Sequence, residues 1–169
     1  MNILNLSSDD LVAVTSVCAV FISIISMIFS VVFSMLQVEH NKNSVRPISA
    51  IKLNDYENVI AVKLQNVGTG PLIIKRLIFK NAFQESSTLI SMMPPIDQLW
   101  DTFTECVDGW TIPVEGEIII LRIHPESNEV RALIRKELSQ ITVFLEYTDI
   151  YNTKFEDNRC LDFFGRHQT

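Results

Sequence analysis

No charged residue occurs between Asp10 and Glu39, and the intervening run Leu11 to Val38 is dominated by Val, Ile, Phe, Leu and Met. A bilayer core about 30 Å thick takes roughly 20 apolar residues at about 1.5 Å each, so this run predicts a transmembrane helix with length to spare for tilt. The polar residues inside it are ordered. Ser16, Ala19, Ser23, Ser26, Ser30, Ser34 and Gln37 recur at steps of three and four, which places them on one helical arc about 80° wide. Phe21, Ile25, Ile28, Val32 and Met35 occupy the opposite side. Small hydroxyl residues let membrane helices approach closely, where packing and interhelical hydrogen bonds replace the hydrophobic drive. The arc of Ser16, Ser23, Ser26, Ser30, Ser34 and Gln37 therefore predicts the seam of a homo-oligomer, although any single serine can donate instead to the carbonyl four residues before it. Cys18 lies off the arc and reads as a small apolar residue.

Of 169 residues, the first 38 are an amino-terminal segment (1–10) and this helix (11–38). A polar juxtamembrane linker (39–46) follows, and residues 47–169 suffice for one ordinary domain. Orientation follows from the flanks: Asp9 and Asp10 precede the helix, whereas His40, Lys42 and Arg46 follow it. The positive-inside rule then places the carboxyl-terminal domain in the cytoplasm. A cleavable signal peptide is disfavoured, because the leader is acidic, the apolar run is too long and no A-x-A site follows it. The formal net charge of −6 offers no basic field for duplex DNA or RNA. Cys106 and Cys160 are far apart and form no CxxC pair, so the thiols read as reduced.

Beyond Pro47 the chain reads as short β runs separated by turns. Ile48 to Leu53 is a first run, and Val59 to Gln65 alternates Ile60, Val62 and Leu64 against Ala61, Lys63 and Gln65. Asn66 to Pro71 (NVGTGP) then turns the chain into Leu72 to Lys80, which predicts a hairpin between these two strands. Asn81 to Pro95 is a polar loop. Ile96 to Cys106 predicts a short amphipathic helix that buries Ile96, Leu99, Trp100 and Phe103. Trp110 to Val114 and Glu117 to Ile123 are further strands. Asn128 to Ser139 is a helix with Arg131 and Arg135 on an exposed flank. Ile141 to Tyr147 and Thr153 to Phe164 close as a hairpin. About seven strands and one or two short helices predict an antiparallel β-sandwich of immunoglobulin-like or related Greek-key type. Its expected core holds Ile60, Val62, Leu64, Ile74, Leu77, Phe79, Ile119, Leu121, Val143 and Leu145.

The chain offers no catalytic constellation. His40, His124 and His167 are isolated, and neither H-E-x-x-H nor G-x-S-x-G occurs, so no enzyme, cofactor or metal is expected. Asp97 with Asp101 and Glu156 with Asp157 read as solvated carboxylates. Gly68-Thr69-Gly70-Pro71 fails as a phosphate loop because a strand follows it, where a phosphate loop feeds a helix. The basic groups Lys75 and Arg76, Arg122 and His124, and Arg131 and Arg135 are the places where an acidic domain would hold a small phosphate-bearing ligand.

The single amino-terminal helix, the linker His40 to Pro47 (HNKNSVRP), the strand ending in Asn66 to Pro71 and the run Ile73 to Leu77 resemble a broad group of small bacterial single-pass membrane proteins. In build they are similar to membrane effectors of anti-phage defence, in which a cytosolic domain senses a signal such as a cyclic nucleotide and the helices oligomerise or open. One such class, in type III CRISPR systems, binds cyclic tetra-adenylate. The resemblance implies a bacterial inner-membrane effector gated by a ligand or a soluble protein partner, with the lipid bilayer as its medium. A passive anchor that docks a soluble partner through its β domain is the alternative, and no ligand-binding motif of the family maps onto these residues.

Overall fold

A computed structural model describes residues 8–167, and the chain divides into two compact units, Met1–Asn43 and Ser44–Thr169. The first consists of most of helix α1, Ser8–Ser44. Asp9 and Asp10 in its first turn and Lys42 in its last complement the helix dipole. At 37 residues it extends about 55 Å, and it is long and apolar enough to cross a membrane. None of its residues is buried, which a core helix of a soluble domain would not allow. The helix also runs through residues 39–44, where the sequence predicts a linker. Propagating an existing helix adds one hydrogen bond per residue, so polar residues continue it until Pro47 bars Arg46 from helical geometry.

The second unit is built from two antiparallel sheets. Strands β1 (Ser49–Tyr56), β2 (Val59–Asn66) and β3 (Leu72–Lys80) are followed by the short β4 (Glu85–Ser86), β5 (Thr102–Phe103) and β6 (Thr111–Ile112). Then come β7 (Glu117–Ile123), helix α2 (Asn128–Leu138), β8 (Thr142–Thr148) and β9 (Lys154–Cys160). One sheet has the order β1-β2-β7-β5 and the other β4-β3-β8-β9, with β6 on β3. With β1, β2, β7 and β5 as A, B, E and D, and β3, β8 and β9 as C, F and G, this is the immunoglobulin-like arrangement with β4 added at the edge. The edges β1 and β9 are joined by side chains: Ser49 donates to Asp157, and Arg159 donates to the Ile51 carbonyl at 2.7 Å.

The hairpin expected between β2 and β3 does not form. β2 pairs with β1 and β7, whereas β3 lies in the other sheet, so Asn66 to Pro71 is a crossing between sheets. Nor is Ile96 to Cys106 a helix. Thr102 and Phe103 instead pair with Arg122 and Leu121 to form β5, Gln98 bridges the His124 carbonyl (2.5 Å) and the Glu126 amide (3.1 Å), and Leu99 is 89% exposed. Strand pairing along β7 outweighs a weak helical period. Within the expected loop Asn81 to Pro95, a single 3₁₀ turn (Ile90–Met92) plants Leu89 and Met92 in the core. The last expected strand stops at Cys160, and Phe164 enters the core from a 3₁₀ turn, Asp162–His167.

Nine of the ten expected core residues are buried; Ile119 is only half-buried. A register shift between Val62 and Lys63 opposite β7 breaks the alternation there, and Ile120, Leu121 and Ile123 fill the core instead. Helix α2 begins at Ser127, whose hydroxyl accepts the Val130 amide at 3.1 Å, and it buries Ile134 and Leu138. Arg135 is not on an exposed flank. It donates twice to Asp55 Oδ1, at 2.8 and 2.6 Å, and the Asp55 side chain is fully buried. Arg166 reaches the other carboxylate oxygen at 2.9 Å, outside hydrogen-bond geometry, and stacks over Phe163. One acidic side chain on β1 thus ties down both α2 and the carboxyl-terminal turn.

Candidate functional site

The six residues of the expected basic site are dispersed over β3, β7 with the residue that follows it, and α2, in both sheets. Arg76 lies 3.6 Å from Glu85, which also takes a 2.7 Å bond from Lys80; that bond holds the Glu85 carboxyl below its ordinary range. Arg131 donates to Asn128, and Arg135 is committed to Asp55. Arg122 belongs to β7 opposite β5. His124 Nδ1 lies 2.9 Å from Asp101, in an open hollow shared with Asp97 and Glu126. That hollow is acidic, so it repels a phosphate.

Lys75 is different. The β3–β8 register shifts between Ile74 and Arg76, so Lys75 sits on a bulge, a device that re-aims a side chain. It lines a cavity of about 310 Å³ with Glu146, Tyr147 and Thr148 of β8, Asn152 of the turn, and Lys154, Phe155 and Glu156 of β9. Tyr147 and Phe155 stack at 5.4 Å between ring centres. Thr148 is 2% exposed, yet its hydroxyl has no hydrogen-bond partner among the described residues. Lys75 and Lys154 are in no ion pair among those residues either, and Glu146 stands directly opposite Glu156 in the β8–β9 register. The unsatisfied buried hydroxyl and the two facing carboxylates are each a local cost to the fold.

Beside this cavity the chain after the helix is strapped to the domain. Residues 44–48 run along the crossing 66–70: the Val67 amide donates to Ile48 O (2.8 Å), the Thr69 amide to Arg46 O (3.1 Å) and the Thr69 hydroxyl to Ser44 O (2.6 Å). The glycines serve this contact. A Cβ on Gly68 would lie 2.3 Å from Ile48 N, and one on Gly70 would lie 1.8 Å from Val45 O. Asn66, fully buried, organises the crossing. Its amide donates to the carbonyls of Gly70 (2.7 Å), Ile112 and Pro113 (3.2 Å each), and its oxygen accepts the Gly68 amide at 3.0 Å. The Arg46 guanidinium lies over Phe155, 5.0 Å from the ring centre, so the strap reaches a wall of the cavity.

In α1 the hydroxyls of Ser16, Ser23 and Ser30 donate to the carbonyls of Val12, Ala19 and Ser26, four residues back, at 2.7–2.8 Å. Their protons are used inside the helix, so a seam through Ser16, Ser23, Ser26, Ser30, Ser34 and Gln37 would rest on small size more than on hydrogen bonds across it. No protein-family model and no curated protein sequence matches the chain.

Sequence reasoning named Lys75 but missed Thr148, Lys154 and Asn66. The hairpin of β8 and β9 was expected, but the pairing of β3 with β8 and the bulge that bring the first two to Lys75 arise from tertiary register. For Asn66 a signal was present: Asn before two closely spaced glycines marks a crowded, hydrogen-bonded turn.

Proposed function

We propose that this chain is a bacterial inner-membrane protein, spanning once through α1 with its β domain in the cytoplasm, and that it acts as a ligand-gated effector. The observation that carries the ligand site is a cavity lined by Lys75 and Lys154, which are in no ion pair among the described residues, and by Thr148, whose buried hydroxyl has no hydrogen-bond partner among them. The ligand is small and phosphate-bearing. Its anionic group meets Lys75 and Lys154, its donors meet Glu146 and Glu156, and a flat ring packs on Phe155. The cavity is at the lower end of ligand-site volumes, which suits one nucleotide unit, so a cyclic tetra-adenylate would enter only in part. Movement of Phe155 on binding would be felt by Arg46 and passed to the strap, and from there to helices assembled on their serine arc. Anti-phage defence is the setting that the single-helix build favours.

The test uses the full chain in detergent with adenosine monophosphate as probe. Thr148→Val removes only the stranded hydroxyl, so it should leave folding stability unchanged or slightly raised, and together with Lys75→Met it should abolish binding. Unchanged affinity in both variants would reject this cavity.

The bonds that Ser16, Ser23 and Ser30 make within their own helix favour the passive anchor as a second reading. Ser26→Leu with Ser30→Leu fills the close-approach groove, whereas Ile25→Leu with Ile28→Leu on the other face conserves volume. Cysteine crosslinking along α1, in a background lacking Cys18, should peak with a period near 3.5 residues on the serine side and be lost only in the first pair. Uniform crosslinking, with no ligand-dependent loss of membrane potential on expression, would leave α1 a tether.

A further inference from the structure

The β domain carries a second surface feature, at the end of the sandwich where the strap enters. Three loops meet there: the strap with the crossing 66–71, the segment 109–116 around β6, and the β8–β9 turn 149–153. Strand register fixes this. Ser49 pairs with Asn66, Gln65 with Glu117, Ile73 with both Thr111 and Thr148, and Thr148 with Lys154. Each loop holds two large apolar side chains out in solvent: Ile48 and Val67, Trp110 and Val114, Ile150 and Tyr151, all between 47% and 52% exposed.

These loops are built to hold their tips still. Asn66 braces the first. In the second, Asp108 accepts the Leu77 amide at 3.1 Å, and the Trp110 carbonyl accepts the Ile74 amide at 2.9 Å. In the third, Asp149, 2% exposed, accepts the amides of Tyr151 and Thr153 at 2.8 Å each. Rigid presentation of apolar groups lowers the entropy lost on docking. Trp and Tyr among aliphatic side chains are the composition of a membrane–water interface, where an amphipathic ring lies at headgroup level. Lone exposed apolar residues are ordinary; six on three braced loops at one end are not.

Chain length identifies the occupant. The apolar run ends at Val38 and the strap begins at Ser44. The five residues between span about 8 Å as helix and at most about 18 Å extended, close to the depth of one headgroup layer, which is about 5–8 Å. We propose that this end of the β domain docks on the bilayer surface, inserting Trp110, Tyr151 and Ile150 among the lipid headgroups. The inference rests on the reading that α1 crosses the membrane. On these loops and their flanks Arg46 and Lys154 are outnumbered by Asp108, Glu115 and Asp149, so no net positive charge draws this face to the lipid and the contact is apolar and insensitive to salt.

The full chain, reconstituted in phosphatidylcholine vesicles whose acyl chains are brominated near the glycerol, provides the test. It contains two tryptophans, and Trp100 belongs to the segment that joins the other end of β7, near His124. The parent should lose much of its emission to the brominated lipid at both low and high salt, and Trp110→Phe should lose this quenching. Ile150→Asp with Tyr151→Asp should weaken it several-fold. If the chain resists alkaline extraction but Trp110 is unquenched by bromine and open to iodide, docking is overturned while the membrane reading stands. If alkaline extraction releases the chain, both fail. Shielding of Trp110 from iodide without bromine quenching, lost in nanodiscs holding one chain, would show that the face docks a second copy and would overturn lipid docking.

Discussion

Asp55→Ala should destabilise the β domain by about 3 kcal/mol, the low end of what removing one member of a buried ion pair produces. The carboxylate is fully buried, and its loss strands Arg135, 17% exposed, and Arg166, 33% exposed, over the place it occupied. Partial exposure lets both arginines recover some hydration, hence the low end. Three elements that share no strand pairing then lose their common tie: β1, α2 and the carboxyl-terminal turn that carries Phe164. For a domain of this size the shift corresponds to a melting temperature about 10 °C lower. Thermal unfolding of the full chain in detergent, followed by the β-sheet circular dichroism signal, measures it. Asp55→Asn retains an acceptor for Arg135 and should lose less. Arg166→Met removes the more exposed partner and should lose least. Equal melting temperatures for Asp55→Ala and the parent would mean that the triad contributes nothing net, as happens for exposed pairs.

The architecture was legible in the sequence to the extent that it depends on local pattern. The uncharged run at 11–38 gave the long helix, the alternation at Ile60, Val62 and Leu64 gave a strand, and the helical spacing of Val130, Ile134 and Leu138 gave α2. What failed depends on partners distant in sequence. NVGTGP looks like a hairpin turn because glycine is associated with turns, but here its missing Cβ atoms make room for the backbone of residues 45–48, which no local window contains. Ile96, Leu99, Trp100 and Phe103 satisfy a helical period, yet β7 offers an open edge and Thr102 and Phe103 pair with it. Charge was the least legible property. Arg135 and His124 look alike as surface bases in the sequence, but one meets a buried carboxylate and the other lines an acidic hollow. Thr148 gave no signal, because its significance is the absence of a partner in three dimensions.

Gly70→Ala should release the strap while leaving the sandwich folded. The added Cβ would lie 1.8 Å from Val45 O and 2.6 Å from Val45 C, both backbone atoms with no rotamer to yield, so residues 44–46 must move away. The bonds lost are Thr69 amide to Arg46 O, Thr69 hydroxyl to Ser44 O and Val67 amide to Ile48 O, about 0.5–1.5 kcal/mol each, or about 1.5–4.5 kcal/mol together. Gly109 serves as the control. It has a φ of 84° but open space around its Cβ position, so Gly109→Ala should lose only the roughly 1–2 kcal/mol of left-handed strain. Hydrogen exchange on the full chain separates the two. Gly70→Ala should speed exchange at the Val67 and Thr69 amides while β2 and β7 stay protected, and Gly109→Ala should leave Val67 and Thr69 as they are in the parent. Because the strap also carries Arg46 onto Phe155, Gly70→Ala should bind a ligand in the Lys75 cavity yet fail to pass the signal to the helix. Protection at Val67 and Thr69 unchanged by Gly70→Ala would mean that the strap is not held where these contacts place it, and the route from cavity to helix would be lost with it.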